Sequence, residues 1–107
     1  MNVTAWNNGI PAPSGAGYGL KISVTDRDRY FRREWKAVIL VLEEHGTPVE
    51  INVAKPSFWG KTCHELISAQ VGRWLLKNRL APWPENHPPK LILEPLDENR
   101  RFLLRQL

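Results

Sequence analysis

Between Asp26 and Lys36 the chain sets five cations, Arg27, Arg29, Arg32, Arg33 and Lys36, among three aromatic residues, Tyr30, Phe31 and Trp35. Guanidinium forks match the oxygens of a phosphate in geometry and charge, and aromatic rings stack on bases. The mixture therefore suits contact with nucleic acid or another anionic ligand. On a helix, Arg29 and Arg33 stand four residues apart and Arg29 and Arg32 three, so either pair shares a face able to clamp one phosphate. Asp26, Asp28 and Glu34 lie in the same stretch. With Asp28 and Arg32 also four apart, salt bridges along a solvated face are the plainer alternative.

A glycine loop precedes this cluster: Ser14, Gly15, Ala16, Gly17, Tyr18 and Gly19 run directly into Leu20-Lys21-Ile22-Ser23-Val24. Loops that cradle phosphate lead from a strand into a helix, whose N-terminus supplies N–H groups and a positive dipole. Here the glycines lead into an alternating segment that predicts a strand, and no Gly-Lys-Ser or Gly-Lys-Thr follows. The familiar modes of dinucleotide and triphosphate binding are disfavoured. Glycines at alternate positions instead bare one face of an extended segment, so that another backbone, a ring or a ligand can lie flat against it. The candidate binding set is Gly15, Gly17, Tyr18, Gly19, Arg29, Tyr30, Arg32, Arg33, Trp35 and Lys36. In this reading the arginines and Lys36 meet phosphate, and Tyr18, Tyr30 or Trp35 offers stacking surface. The loop is then the rim of a groove, against the plainer account in which it only packs.

Other residues with chemical potential do not assemble. Cys63, His64 and Glu65 are adjacent, and adjacent helical residues diverge by about 100°, so the thiol has no local base. His45, His64 and His87 have no ligand-like spacing, and a lone cysteine excludes a multi-cysteine zinc site. No catalytic residue, metal site or cofactor is assigned. Phe58 and Trp59 are expected to staple the start of a helix at Thr62 or to form an aromatic wall, with Trp83 completing a groove at its far end.

These residues must be positioned by a small set of elements. Asn2–Trp6 reads as a short strand closed by the turn Asn7-Asn8-Gly9. Leu20–Val24 is a half-buried strand, and Thr25 or Asp26 caps a short helix through about Arg33. Ala37–Leu42 reads as a central strand buried on both faces, with Val49–Val53 pairing back as a hairpin arm. Thr62 and Glu65 form a capping box for a long helix from Thr62 to about Asn78 or Arg79, with Leu66, Ile67, Val71, Trp74 and Leu75 on one stripe. Pro82 and Pro84 end it. Lys90–Glu94 and Arg101–Leu107 are two further strands joined by a turn at residues 96 to 99.

The expected fold is a single α+β domain over residues 1 to 107. A curved, mostly antiparallel sheet of five or six strands, in the order β-β-α-β-β-α-β-β, packs on the long helix 62–79, with a short helix near 25–33. A partly open barrel is the close variant. With basic residues near a small curved sheet, this order of elements resembles that of small DNA-binding pseudobarrels, in element order alone.

The formal charge of +4 over 107 residues is mildly basic and agrees with a phosphate-rich partner. The longest unbroken apolar run, Ala37 to Leu42, is too short to span a membrane, and the N-terminus has no basic segment followed by an apolar run. A cytoplasmic location and no membrane partner are expected. The leading functional expectation is a non-enzymatic binding module for nucleic acid or another anion. The alternatives are a protein-interaction module (an inhibitor, an immunity protein or a homodimer) and a small metal-independent ribonuclease using an arginine with His64 or His87 and a carboxylate.

Overall fold

The computed structural model describes residues 1–44, 46–62, 64–96 and 100–107, so His45, Cys63 and most of the expected turn at 96 to 99 lie outside the described residues. Among the described residues, seven strands form one mixed sheet: β1 (Asn2–Asn7), β2 (Tyr18–Lys21), β3 (Ala37–Leu42), β4 (Val49–Asn52), β5 (Glu65–Ile67), β6 (Lys90–Pro95) and β7 (Arg101–Gln106). Two helices, α1 (Val24–Tyr30) and α2 (Ala69–Lys77), and a 3-10 turn at Pro56–Trp59 are the other elements of the described residues. The spatial order is β4-β3-β7-β6-β1-β2-β5. The two outer strands, β4 and β5, approach each other, so the sheet is a nearly closed barrel.

Alternation drives the closure. In β3, Val38, Leu40 and Leu42 are buried while Ala37, Ile39 and Val41 are only partly so. Leu91 and Leu93 of β6 and Phe102 and Leu104 of β7 repeat the pattern, and all of these inward side chains belong to one apolar core. A period of two that buries a single face is what a barrel wall requires. It replaces the expectation that β3 is buried on both faces. The expectation of a mostly antiparallel sheet holds, with β3 and β7 as the parallel exception: Ile39 lies opposite Arg101 and Leu42 opposite Leu104.

The pairings give every odd-numbered strand the same direction and every even-numbered strand the opposite one. The barrel therefore has two distinct ends. At the first, β1, β3, β5 and β7 begin, and α1 and the 3-10 turn lie in the connections there. At the second, β2, β4 and β6 begin, and α2 connects β5 to β6. The first end is plugged by aromatic rings: Phe31 stacks on Phe102 at 4.9 Å between centroids and meets Phe58 edge-on at 5.4 Å and Trp35 at 6.2 Å. At the second end Val71, Trp74 and Leu75 of α2 enter the core, and the Trp74 Nε1–H donates to the Glu43 carbonyl at 2.8 Å.

Both helices differ from their sequence boundaries. The long helix expected over 62–79 starts at Ala69, because Ser68 rather than Thr62 is its cap: the Ser68 hydroxyl accepts from the backbone N–H groups of Gln70 and Val71. Glu65–Ile67, assigned to that helix and to its capping box, is a strand paired antiparallel to β2, with Leu66 opposite Leu20 and wholly buried. Strand pairing outweighed the local capping pattern, and it adds a strand beyond the five or six expected. The short helix is likewise capped by Ser23, not Thr25 or Asp26, and ends at Tyr30. β2 begins at Tyr18 and ends at Lys21, shifted from the expected 20–24, so Gly19 lies inside the strand.

The glycines mark where backbones meet. A Cβ on Gly19 would overlap the Leu66 carbonyl of β5, and one on Gly15 would overlap the Ala69 carbonyl and come within 2.7 Å of the Arg73 nitrogen. On the other side of that contact, a Cβ on Gly72 would overlap the Gly15 carbonyl. Gly15 also has φ +93°, which disfavours any L side chain. In a free helix, replacing Gly72 with alanine would gain about 1 kcal/mol of helix propensity. Here the clash is with backbone, which cannot rotate aside. Gly72→Ala is expected to lower unfolding stability by about 2 kcal/mol in urea denaturation, because overpacking outweighs propensity. Gly46→Ala, with open space around it, should stay within about 0.5 kcal/mol.

Candidate nucleic-acid interface

The arginine cluster sits at the first end of the barrel, and Arg27 is its structural member. Arg27 is 4% exposed. Its Nη1 donates to the carbonyls of Phe58 at 2.9 Å and Gly60 at 2.6 Å, and its Nε to the Asp28 carboxylate at 3.0 Å. A buried guanidinium needs this many acceptors to offset its desolvation. The result ties α1 to the 3-10 turn and brings Trp59 under the cluster. Trp59 is fixed in turn by its Nε1–H, which donates to the Val53 carbonyl at 3.0 Å.

Arg29, Arg32, Arg33 and Lys36 are all exposed. Only Arg29 lies on α1. Because the helix ends at Tyr30, the expected helical pairs Arg29–Arg33, Arg29–Arg32 and Asp28–Arg32 do not form as such, and Asp28 pairs with Arg27 instead. Aromatic contacts order two of the cations. The Arg33 guanidinium carbon is 4.9 Å from the Trp59 ring centroid, and that of Arg29 is 5.4 Å from the Tyr30 centroid. Arg27 also approaches Trp59, at 5.3 Å. Such contacts hold a flexible side chain in place while leaving its N–H edge in solvent.

Further cations share this end for reasons of topology rather than sequence. The Val53 N–H donates to the Lys36 carbonyl, placing the segment that carries Lys55 beside Lys36. The Arg27 bond to Gly60 does the same for Lys61. Arg100 and Arg101 open β7 next to the start of β3, where Arg100 Nη1 donates to the Ala37 carbonyl at 3.3 Å. These residues lie 19 to 72 positions from Arg29 or Lys36 in the chain, and no local pattern announces their grouping. Among the described residues at this end, Glu34, Asp28 and Glu50 are exposed acids; Asp28 is committed to Arg27, and Glu50 lies opposite Ile39 in β3, as Arg101 does on the other side.

The glycine loop is elsewhere. Gly15 packs on α2 at the second end, Gly17 lies against Asn8, and Gly19 lies under β5. Tyr18 is 3% exposed and meets Trp83 edge-on at 5.8 Å. The β2 strand separates the loop from Arg29–Lys36, so the structure does not bring the two halves of the candidate set into one groove. Of the aromatic set, Trp83 is at the second end, Phe58 is core, and Trp59 is half-buried at the first. The histidines also divide: His64 precedes β5 at the first end, buried, with Nε2 unpartnered, while His87 is exposed in the loop before β6. Among the described residues no group of three or more His, Asp or Glu is gathered to hold a metal ion, and no helix is long and apolar enough to cross a membrane.

Arg27→Ala is expected to lower stability by about 3 kcal/mol, because it leaves the Phe58 and Gly60 carbonyls without their donor. Arg32→Ala, on the solvated face, should stay within about 0.5 kcal/mol in the same urea unfolding series.

Comparison with protein-family models, with curated proteins and with solved structures finds no match for this chain.

Proposed function

We propose that the protein is a non-enzymatic nucleic-acid-binding module that meets the phosphate backbone with the first end of its barrel. The observation that carries this reading is the set of exposed cations Arg29, Arg32, Arg33 and Lys36 beside the Arg27-held turn, two of them ordered by rings, Arg29 over Tyr30 and Arg33 over Trp59. Guanidinium groups already oriented lose less entropy when they bind, and their forks donate to two phosphate oxygens at once.

The same geometry narrows the mode. Tyr18 is buried, Trp35 is half-buried edge-on against Phe31, and Tyr30 and Trp59 each carry an arginine, so stacking on bases is a minor part of the contact. Binding of this kind depends on charge and positioning and carries little sequence information. The ribonuclease alternative calls for an arginine and a carboxylate beside His64 or His87; His64 is buried at the first end and His87 exposed at the second.

The test is a fluorescence anisotropy titration of a labelled duplex against salt. Neutralising about four phosphates predicts a log–log slope near −3.6, so affinity should fall roughly 100-fold from about 50 to 200 mM salt. Replacing Arg29, Arg32, Arg33 and Lys36 together with glutamine should flatten the slope toward zero without altering unfolding stability by more than about 1 kcal/mol. Absence of binding by the wild type at 50 mM salt would sink the proposal.

A further inference from the structure

At the second end of the barrel, opposite the proposed nucleic-acid contact, an open groove of about 400 Å³ runs between α2 and the connection from β3 to β4. Thr47, Gln70, Arg73, Trp74 and Lys77 line it. Gln70, Arg73, Trp74 and Lys77 are spaced three, four and seven residues along α2 and so face the same way. Trp74 is 4% exposed, with its N–H already given to the Glu43 carbonyl, so little of its rigidly held ring reaches the groove.

Charge distinguishes this groove from an ordinary surface furrow. Arg73 and Lys77 are both exposed, one helical turn apart, and neither has an ion-pair partner among the described residues. Like charges at this spacing repel, so the pair is destabilising unless an anion lies between them. The nearby Glu43 does not neutralise them: its carboxylate accepts from the Gln106 backbone N–H at 3.2 Å, at the end of β7. Arg73 is also held in place, since Nη1 donates to the Ser14 carbonyl at 3.0 Å in the glycine loop. The loop thus positions one wall of the groove, through the Gly15–Gly72 contact and this bond.

The donors fix the class of ligand. One N–H of the guanidinium is used by Ser14, which leaves four, joined by the Lys77 ammonium, the Gln70 amide and the Thr47 hydroxyl. A carboxylate would be satisfied by the guanidinium fork alone. A phosphate monoester has three terminal oxygens and nearly two charges, and it can accept from Arg73 and Lys77 together. The volume is that of a small-molecule site and lies in the range that holds a mononucleotide. We infer that the α2 groove binds a phosphomonoester of metabolite size, its phosphate between Arg73 and Lys77 and its organic part over Trp74.

The experiment uses the full chain labelled with nitrogen-15 and follows amide and indole N–H resonances during titration with AMP, adenosine and inorganic phosphate. Expected are saturable AMP shifts centred on residues 70 to 77 and on the Trp74 indole, weaker binding of inorganic phosphate, and no shift at those positions with adenosine. Lys77→Gln should weaken AMP binding about tenfold, the loss of one charge-assisted contact. Lys90→Gln, outside the groove, should leave AMP binding unchanged. Equal responses to AMP and adenosine, shifts spread over every exposed cation, or no response at millimolar AMP would each overturn the assignment. Duplex binding at the first end is a separate measurement that Lys77→Gln should leave unaltered, so the two proposals fail independently.

Discussion

The burial of Arg27 organises the end of the molecule that carries the proposed function. A guanidinium in an apolar setting costs several kcal/mol in lost hydration and persists only where acceptors replace the water. The Phe58 and Gly60 carbonyls and the Asp28 carboxylate are those acceptors. Satisfying one cation therefore fixes where the 3-10 turn lies against α1. That in turn sets Phe58 into the aromatic plug and Trp59 beneath Arg33. Arg33 is ordered over Trp59 because Arg27 is buried.

The second end is held by contact of a different kind. Gly15 and Gly72 bring a loop and a helix together at backbone distance, so close that no Cβ can intervene. The contact seats α2 across the barrel mouth, lets Trp74 reach the Glu43 carbonyl, and holds Arg73 against Ser14. A barrel with alternating strand directions naturally separates its connections into two groups. The two ends of this one are built by distinct devices, a desolvated cation and a pair of glycines.

Much of the architecture was legible in the chain. β1, β3, β4, β6 and β7 fall within a residue or two of where the sequence places them, although of these only β4 reads from alternation and β3 reads as an apolar run buried on both faces; the α+β class follows from that order of elements. The helices were less legible for an identifiable reason. Thr62 and Glu65 have the local form of a capping box, and only the unpaired edge of β2 makes Glu65–Ile67 a strand. β5 has three residues, too few to show a period of two above the helical spacing of its neighbours. The early end of α1 at Tyr30 is similar: Phe31 leaves the helix to stack on Phe102, a residue 71 positions away.

The sequence by itself determined the residue types at the proposed interface, the bare face of the glycine segment and the amphipathic strands that must close on one core. These depend on spacing within a few residues, which the chain displays directly. Only the tertiary structure decided that Arg27 is buried while its neighbours are exposed, that Lys55, Lys61, Arg100 and Arg101 join them, and that the glycine loop serves the opposite end. Those outcomes depend on which strand pairs with which. Strand pairing is settled by the whole core at once, and no local window of sequence contains it.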